Sequence, residues 1–186
     1  MKKTTLALLF AGTLMAASCG NNHPDSKDIA KEENKEKFDS SSIEDDTKFA
    51  VAAADGGIME VELGKLALGN AHSSGVKTFA QQMVDDHTKV NDELMAWAKQ
   101  KNVSLPSTMS SSKQDRYNDL AKKKGAEFDK AYISAMVGDH KDDIGAFRKE
   151  ADKGKDTGLR AWASQKLPTL EHHLMMAQGL DSLLKK

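Results

Sequence analysis

From residue 47 to the C-terminus, apolar residues recur at alternating steps of four and three, the spacing that lays one stripe along a helix of 3.6 residues per turn. Phe49, Ala53, Gly56, Glu60, Leu63 and Ala67 keep this rhythm and predict a first helix. His72-Ser73-Ser74-Gly75 supplies turn and N-cap residue types, after which Val76, Phe79, Met83, His87, Val90, Leu94 and Trp97 predict a second. Residues 102–112, with Pro106 and five serines, form a connection, and a short helix is expected over 112–124, closed by Gly125. Phe128, Tyr132, Met136, His140, Ile144 and Phe147 predict a third helix over 126–153, stopped by Gly154. Asp156 is placed to cap a fourth, whose inner face is Leu159, Trp162, Leu170, His173, Ala177, Leu180 and Leu184. Pro168 lies inside that helix, where it removes a hydrogen bond to the Ser164 carbonyl, so a kink or local restart is expected there.

A weak internal repeat pairs these helices. Phe49 and Phe128 each precede an acidic residue, Glu60 and Asp139, by eleven positions, and Val76-Lys77-Thr78-Phe79-Ala80 echoes Leu159-Arg160-Ala161-Trp162-Ala163. The first helix thus matches the third and the second the fourth. Two antiparallel hairpins joined by a long crossover is the connectivity of ferritin-like four-helix bundles, and that all-α fold is the expected architecture. Composition agrees: 5% aromatics, three prolines and many unbranched side chains favour helix over strand. The formal charge of −1 becomes more negative by two if Lys2 and Lys3 are cleaved away, so no basic face is available to neutralise phosphates. Nucleic acid is therefore not an expected partner.

The N-terminus reads as an address. Lys2 and Lys3 form a positive start, residues 4–17 an apolar stretch too short to span a bilayer, and Ala16-Ala17-Ser18 offers small residues to a peptidase. Residues 1–18 are expected to be a signal peptide. Cys19, the single cysteine, follows at once and resembles the acylation site of bacterial lipoproteins, with Ala16 where leucine is usual. A lone thiol in an oxidising compartment has no disulfide partner, so lipidation is the role expected of it, with the membrane as partner through the acyl chains. Gly20 lacks the aspartate that argues for inner-membrane retention, which favours an outer-membrane lipoprotein. Residues 20–46 are nearly devoid of apolar side chains and are expected to be a flexible tether, with at most a transient helix around residues 27–38, ahead of a bundle domain over 47–186.

Four segments, FAVAAADGGIMEVELGKLAL, FAQQMVDDHTKVNDEL, FDKAYISAMVGDH and LPTLEHHLMMA, resemble the bacterial envelope family known as domain of unknown function 4142, whose members often carry an outer-membrane label. The resemblance covers residues 47–184 and implies a ferritin-like helical fold and export, with no established reaction.

Chemistry gathers on the helical stripes. Glu60, His87, His140 and His173 each take a core-facing position on a different helix, and Asp143 follows His140 by one turn. One or two carboxylates with three imidazoles could hold zinc, iron, copper or manganese, or could satisfy one another as a hydrogen-bonded polar core. The Glu-x-x-His pairs of di-iron bundles are missing, since Val84, Val137 and Leu170 stand three residues before the histidines. Asp85, Asp86, Asp139 and Asp142 show no calcium-loop spacing and are expected on a solvated face, as is His172. The nine methionines read as core filler, with no C-x-x-C-H haem attachment motif. No catalytic residue is identified: no nucleophile has a recognisable setting and no glycine-rich phosphate loop is present. The residues favour a non-catalytic, lipid-anchored envelope protein, and the alternative is a metal-binding one.

Overall fold

The computed structural model describes residues 24–185; the signal segment and Cys19 lie outside them. Six helices carry the described residues: α1 (Ser26–Phe38), α2 (Glu44–Asn70), α3 (Ser74–Lys101), α4 (Ser111–Ala121), α5 (Gly125–Lys153) and α6 (Thr157–Leu184). The four long helices are the four that the apolar stripes predict. α6 continues through Pro168 without the expected restart.

Side-chain pairings set the directions of the helices. Glu60 meets His87 and Gly64 meets Val84, so α2 and α3 run antiparallel; His140 meets His173 and Arg148 meets Glu171, so α5 and α6 do too. Across the hairpins, Phe49 packs on Phe147 while Glu60 approaches His140, and Trp162 bonds Glu93 while His173 bonds Asp86. α2 is therefore antiparallel to α5 and α3 to α6, which leaves α3 and α5 pointing the same way. The segment between them, containing α4, carries the chain back along the bundle.

Two glycines bring α2 and α3 close. A Cβ on Gly64 would stand 2.7 Å from Val84 Cγ2 and 3.0 Å from the Ala80 carbonyl oxygen, and one on Gly57 would strike the Asn91 amide. Glu60 lies between these glycines, on the stretch of α2 held tightest against α3.

Buried carboxylates fasten the turns by taking backbone N–H groups that would otherwise be orphaned. Asp129 accepts from His72 (3.0 Å) and Ser73 (2.8 Å), and Asp46 from Lys155 and Asp156. Asp55 accepts from the Ser110 N–H (2.7 Å) and hydroxyl (2.9 Å). The first of these replaces the N-cap role expected of the serines at 73–74, because the Ser73 hydroxyl caps nothing.

Over residues 24–46 the structure corrects the expected tether, whose first four residues, 20–23, lie outside the described ones. Residues 26–38 form α1, started by the Asp25 side chain accepting from the Asp28 N–H, and α2 begins at Glu44 instead of residue 47. The helix docks through polar groups, which a count of apolar residues does not register. Asn34, 2% exposed, donates to the Ser104 carbonyl at 2.8 Å and accepts from the Ser104 N–H at 2.7 Å. Lys27 reaches the fully buried Asp55 at 2.7 Å, and the Ser26 hydroxyl donates to the Thr108 carbonyl. Ala30 is the one apolar residue α1 buries.

The apolar core is divided. Leu63, Met83, Met136 and Ala177 belong to a cluster filling one end of the bundle. Ala54 and Leu94, with Ile144 and Leu170 beside them, fill the other. On every long helix the residue at the boundary between the two is polar: Glu60, His87, His140 and His173.

Candidate metal centre

These four side chains lie on stripes that must face inward, so the fold removes them from water: Glu60 is 2%, His87 3%, and His140 and His173 0% exposed. They meet. Glu60 Oε2 is 2.9 Å from His87 Nδ1, Glu60 Oε1 is 3.6 Å from His140 Nδ1, and His140 Nε2 is 3.3 Å from His173 Nδ1. One ring nitrogen of each histidine lies within 4.8 Å of one from each of the others.

Burial disfavours charge on every member. It pushes His87 down to about 4 against the opposing pull of Asp143 and Asp86, and His140 to about 4 against that of Glu60. It lowers His173 as well, with the hydrogen bond that the ring donates to Asp86 opposing. Burial also pushes Glu60 up to about 7, and raises Asp143, on which the Glu60 charge then acts in the same direction. At neutral pH the three rings are therefore uncharged, each with one N–H and one lone pair.

Partners on the outside decide which nitrogen carries the proton. The Met136 carbonyl, 3.0 Å from His140 Nδ1, can only accept, so His140 donates from Nδ1. Asp86 takes the proton of His173 Nε2 at 2.8 Å, and Glu60 faces Nδ1 of His87. What remains inside is His87 Nε2, buried without any partner, His140 Nε2 and His173 Nδ1. The last two are then lone pairs facing one another across 3.3 Å. Moving the His140 proton to Nε2 would pair them, but it would set the Nδ1 lone pair 3.0 Å from a carbonyl oxygen. A cation removes the conflict. Two nitrogens at about 2.0–2.1 Å from a tetrahedral ion are separated by about 3.4 Å, close to the distance found. Outer carboxylate and carbonyl acceptors that fix the ring tautomers are the usual support of metal-ligating histidines.

Asp143 lies half-buried beside Glu60 and is not one of the three groups drawn together. Tyr132 lies fully buried with its hydroxyl unpartnered, and the charge on Glu60 adds to the burial that raises its pKa. Two members of the expected solvated face are corrected. Asp86 is half-buried on His173, and Asp139, 8% exposed, pairs with Arg116 of α4 at 2.5 Å. Asp85, Asp142 and His172 are exposed as expected.

The family described as domain of unknown function DUF4142 matches residues 31–180. This chain belongs to the DUF4142 family. The match opens inside α1, so the family's domain reaches into the segment that sequence composition marks as tether. No curated protein and no solved structure matches the chain.

Proposed function

We propose that this DUF4142 protein is a lipid-anchored protein of the bacterial outer membrane whose ferritin-like bundle binds one transition-metal ion through His87, His140 and His173, with Glu60 beside it. The observation that carries the metal reading is the meeting of three buried histidines whose ring nitrogens lie within 4.8 Å of one another, with Glu60, the Met136 carbonyl and Asp86 against their other nitrogens and His87 Nε2 without a partner. Three imidazole nitrogens suit zinc, iron or copper better than manganese, which prefers oxygen. The missing Glu-x-x-His pairs argue for a single ion. The parallel course of α3 and α5 and the long return between them support the ferritin-like assignment. The anchor rests on Cys19 at the end of an export-type segment.

Elemental analysis of the purified mature chain, made without a histidine tag, tests the metal reading: one equivalent per chain is expected, with a melting temperature that chelator lowers. A chain that takes up no metal and melts identically with and without chelator contradicts it. Cys19→Ala tests the anchor separately. Acyl chains supply the membrane affinity, so the variant is expected in the soluble envelope fraction, and one that remains on the membrane refutes the anchor.

A further inference from the structure

The docking of α1 shortens the leash on which an acylated Cys19 would hold the bundle. Five steps of chain separate Cys19 from Pro24, the first described residue, and they span at most about 18 Å. The chain leaves the bundle from its flank and not from an end, because the Ser26 hydroxyl bonds the Thr108 carbonyl and Lys27 bonds Asp55. α2 runs from Glu44 to Asn70, so at 1.5 Å per residue Asp55 stands about 17 Å from one end of that helix and about 22 Å from the other. A bundle standing upright on a bilayer would use the whole leash or exceed it, whereas one lying on this flank would not. Beside the point where the chain leaves opens a groove of about 430 Å³, walled by Ala54, Ile58, Val61, Met95, Leu105 and Pro106. It extends to Ser107, next in sequence to the Thr108 that holds Ser26, and Met95 at its mouth is 55% exposed.

We propose that this flank lies on the bilayer that carries the anchor, with Met95 and the groove between α2 and α3 turned to the lipid and the opposite face, formed by α5 and α6, turned away. The proposal rests on the anchor reading above. The leash supplies proximity, and exposed apolar side chains supply the attraction to the boundary between headgroups and acyl chains. The rim of the groove carries Glu62, Lys65 and Asp92, and its one lysine is paired with Glu62 at 2.7 Å. Attraction to anionic headgroups therefore adds nothing, and the contact is insensitive to salt.

The test uses the mature, full-length chain in vesicles of phosphatidylethanolamine and phosphatidylglycerol, some of whose lipids carry a nitroxide on the acyl chain. Acylation occupies the Cys19 sulfur, so a thiol-reactive fluorophore labels only an introduced cysteine. Met95→Cys places it on the proposed face and Met175→Cys, at a residue 61% exposed in the groove between α5 and α6, on the opposite one. Both sites are exposed, so neither substitution disturbs the core. The label at 95 is expected to be quenched several-fold more than the label at 175, and to remain so in about 1 M salt, where screening acts within about 3 Å. Equal quenching at the two sites, stronger quenching at 175, or quenching at 95 that salt abolishes overturns the proposal while leaving the anchor standing. A label at 95 that the lipid does not quench but that is shielded from aqueous iodide also overturns it, by placing protein on that face. A chain whose mass shows no acyl group on Cys19 overturns the anchor reading, and the proposal with it.

Discussion

Replacing Asp86 by alanine separates a metal centre from a polar core, because Asp86 touches only the outer side of one ring. Its carboxylate accepts from His173 Nε2 at 2.8 Å while 37% of its side chain remains exposed. Solvent can take its place on the N–H group, so the metal-free protein is expected to lose about 1 kcal/mol or less, the net worth of an ordinary hydrogen bond. Metal affinity responds more strongly. Without Asp86 the proton on His173 is free to move to Nδ1, the nitrogen that faces His140, and the ring loses a partner that raises its basicity. Loss of such an outer partner weakens metal binding by about 10–100-fold, equivalent to about 1.4–2.7 kcal/mol. Chelator competition with Zn(II) or Co(II) measures the affinity, and urea unfolding in chelator measures the metal-free stability. Unchanged affinity together with a loss of several kcal/mol in chelator would refute the reasoning, since it would make Asp86 part of a structural network.

Gly64→Ala is expected to destabilise the bundle: the new methyl meets Val84 at 2.7 Å and the Ala80 carbonyl at 3.0 Å, overpacking costs roughly 1–3 kcal/mol, and better helix propensity returns about 1; a thermal melt at or above that of the parent contradicts the close crossing. Asn34→Ala leaves both backbone groups of Ser104 without their partner, so urea unfolding should show a loss of roughly 1–3 kcal/mol, whereas no loss would mean that α1 does not dock. Glu150 is 6% exposed with one oxygen unpartnered, and burial, followed by the charges of Asp46 and Asp156, pushes it up to about 7. Because its folded pKa exceeds the unfolded value of 4.5, its contribution to stability is present below about 4.5 and lost as pH rises through about 7. Glu150→Gln should therefore raise the melting temperature relative to the parent at pH 8 and lose that advantage near pH 5, and an advantage independent of pH contradicts the assignment.

The four bundle helices and the four polar residues at their centre were legible because periodicity alone places a residue on an inward face: Glu60, His87, His140 and His173 keep step with Leu63, Met83, Met136 and Ala177. Their outer partners were not. Asp86 follows Asp85 on what reads as a solvated stretch of α3, and only the packing of α6 against α3 brings it to His173. The Met136 carbonyl is backbone and leaves no mark in the choice of residues. The docking of α1 was hidden for a related reason. Its bonds join residues 26 to 108, 27 to 55 and 34 to 104, long-range polar pairs with no local period, while its single buried apolar residue, Ala30, is too small to signal a core face. The turn before α3 misled similarly: its serines look like caps, yet Asp129, more than fifty residues away, takes the N–H groups of His72 and Ser73.

X-ray absorption fine structure on the purified, metal-loaded chain reads the ligands of the ion itself. Three imidazole nitrogens at about 2.0–2.1 Å are expected, with the imidazole scattering reduced in His173→Ala. A first shell of oxygen alone, or a spectrum unchanged by the His173 substitution, would place the metal elsewhere and contradict the three-histidine site.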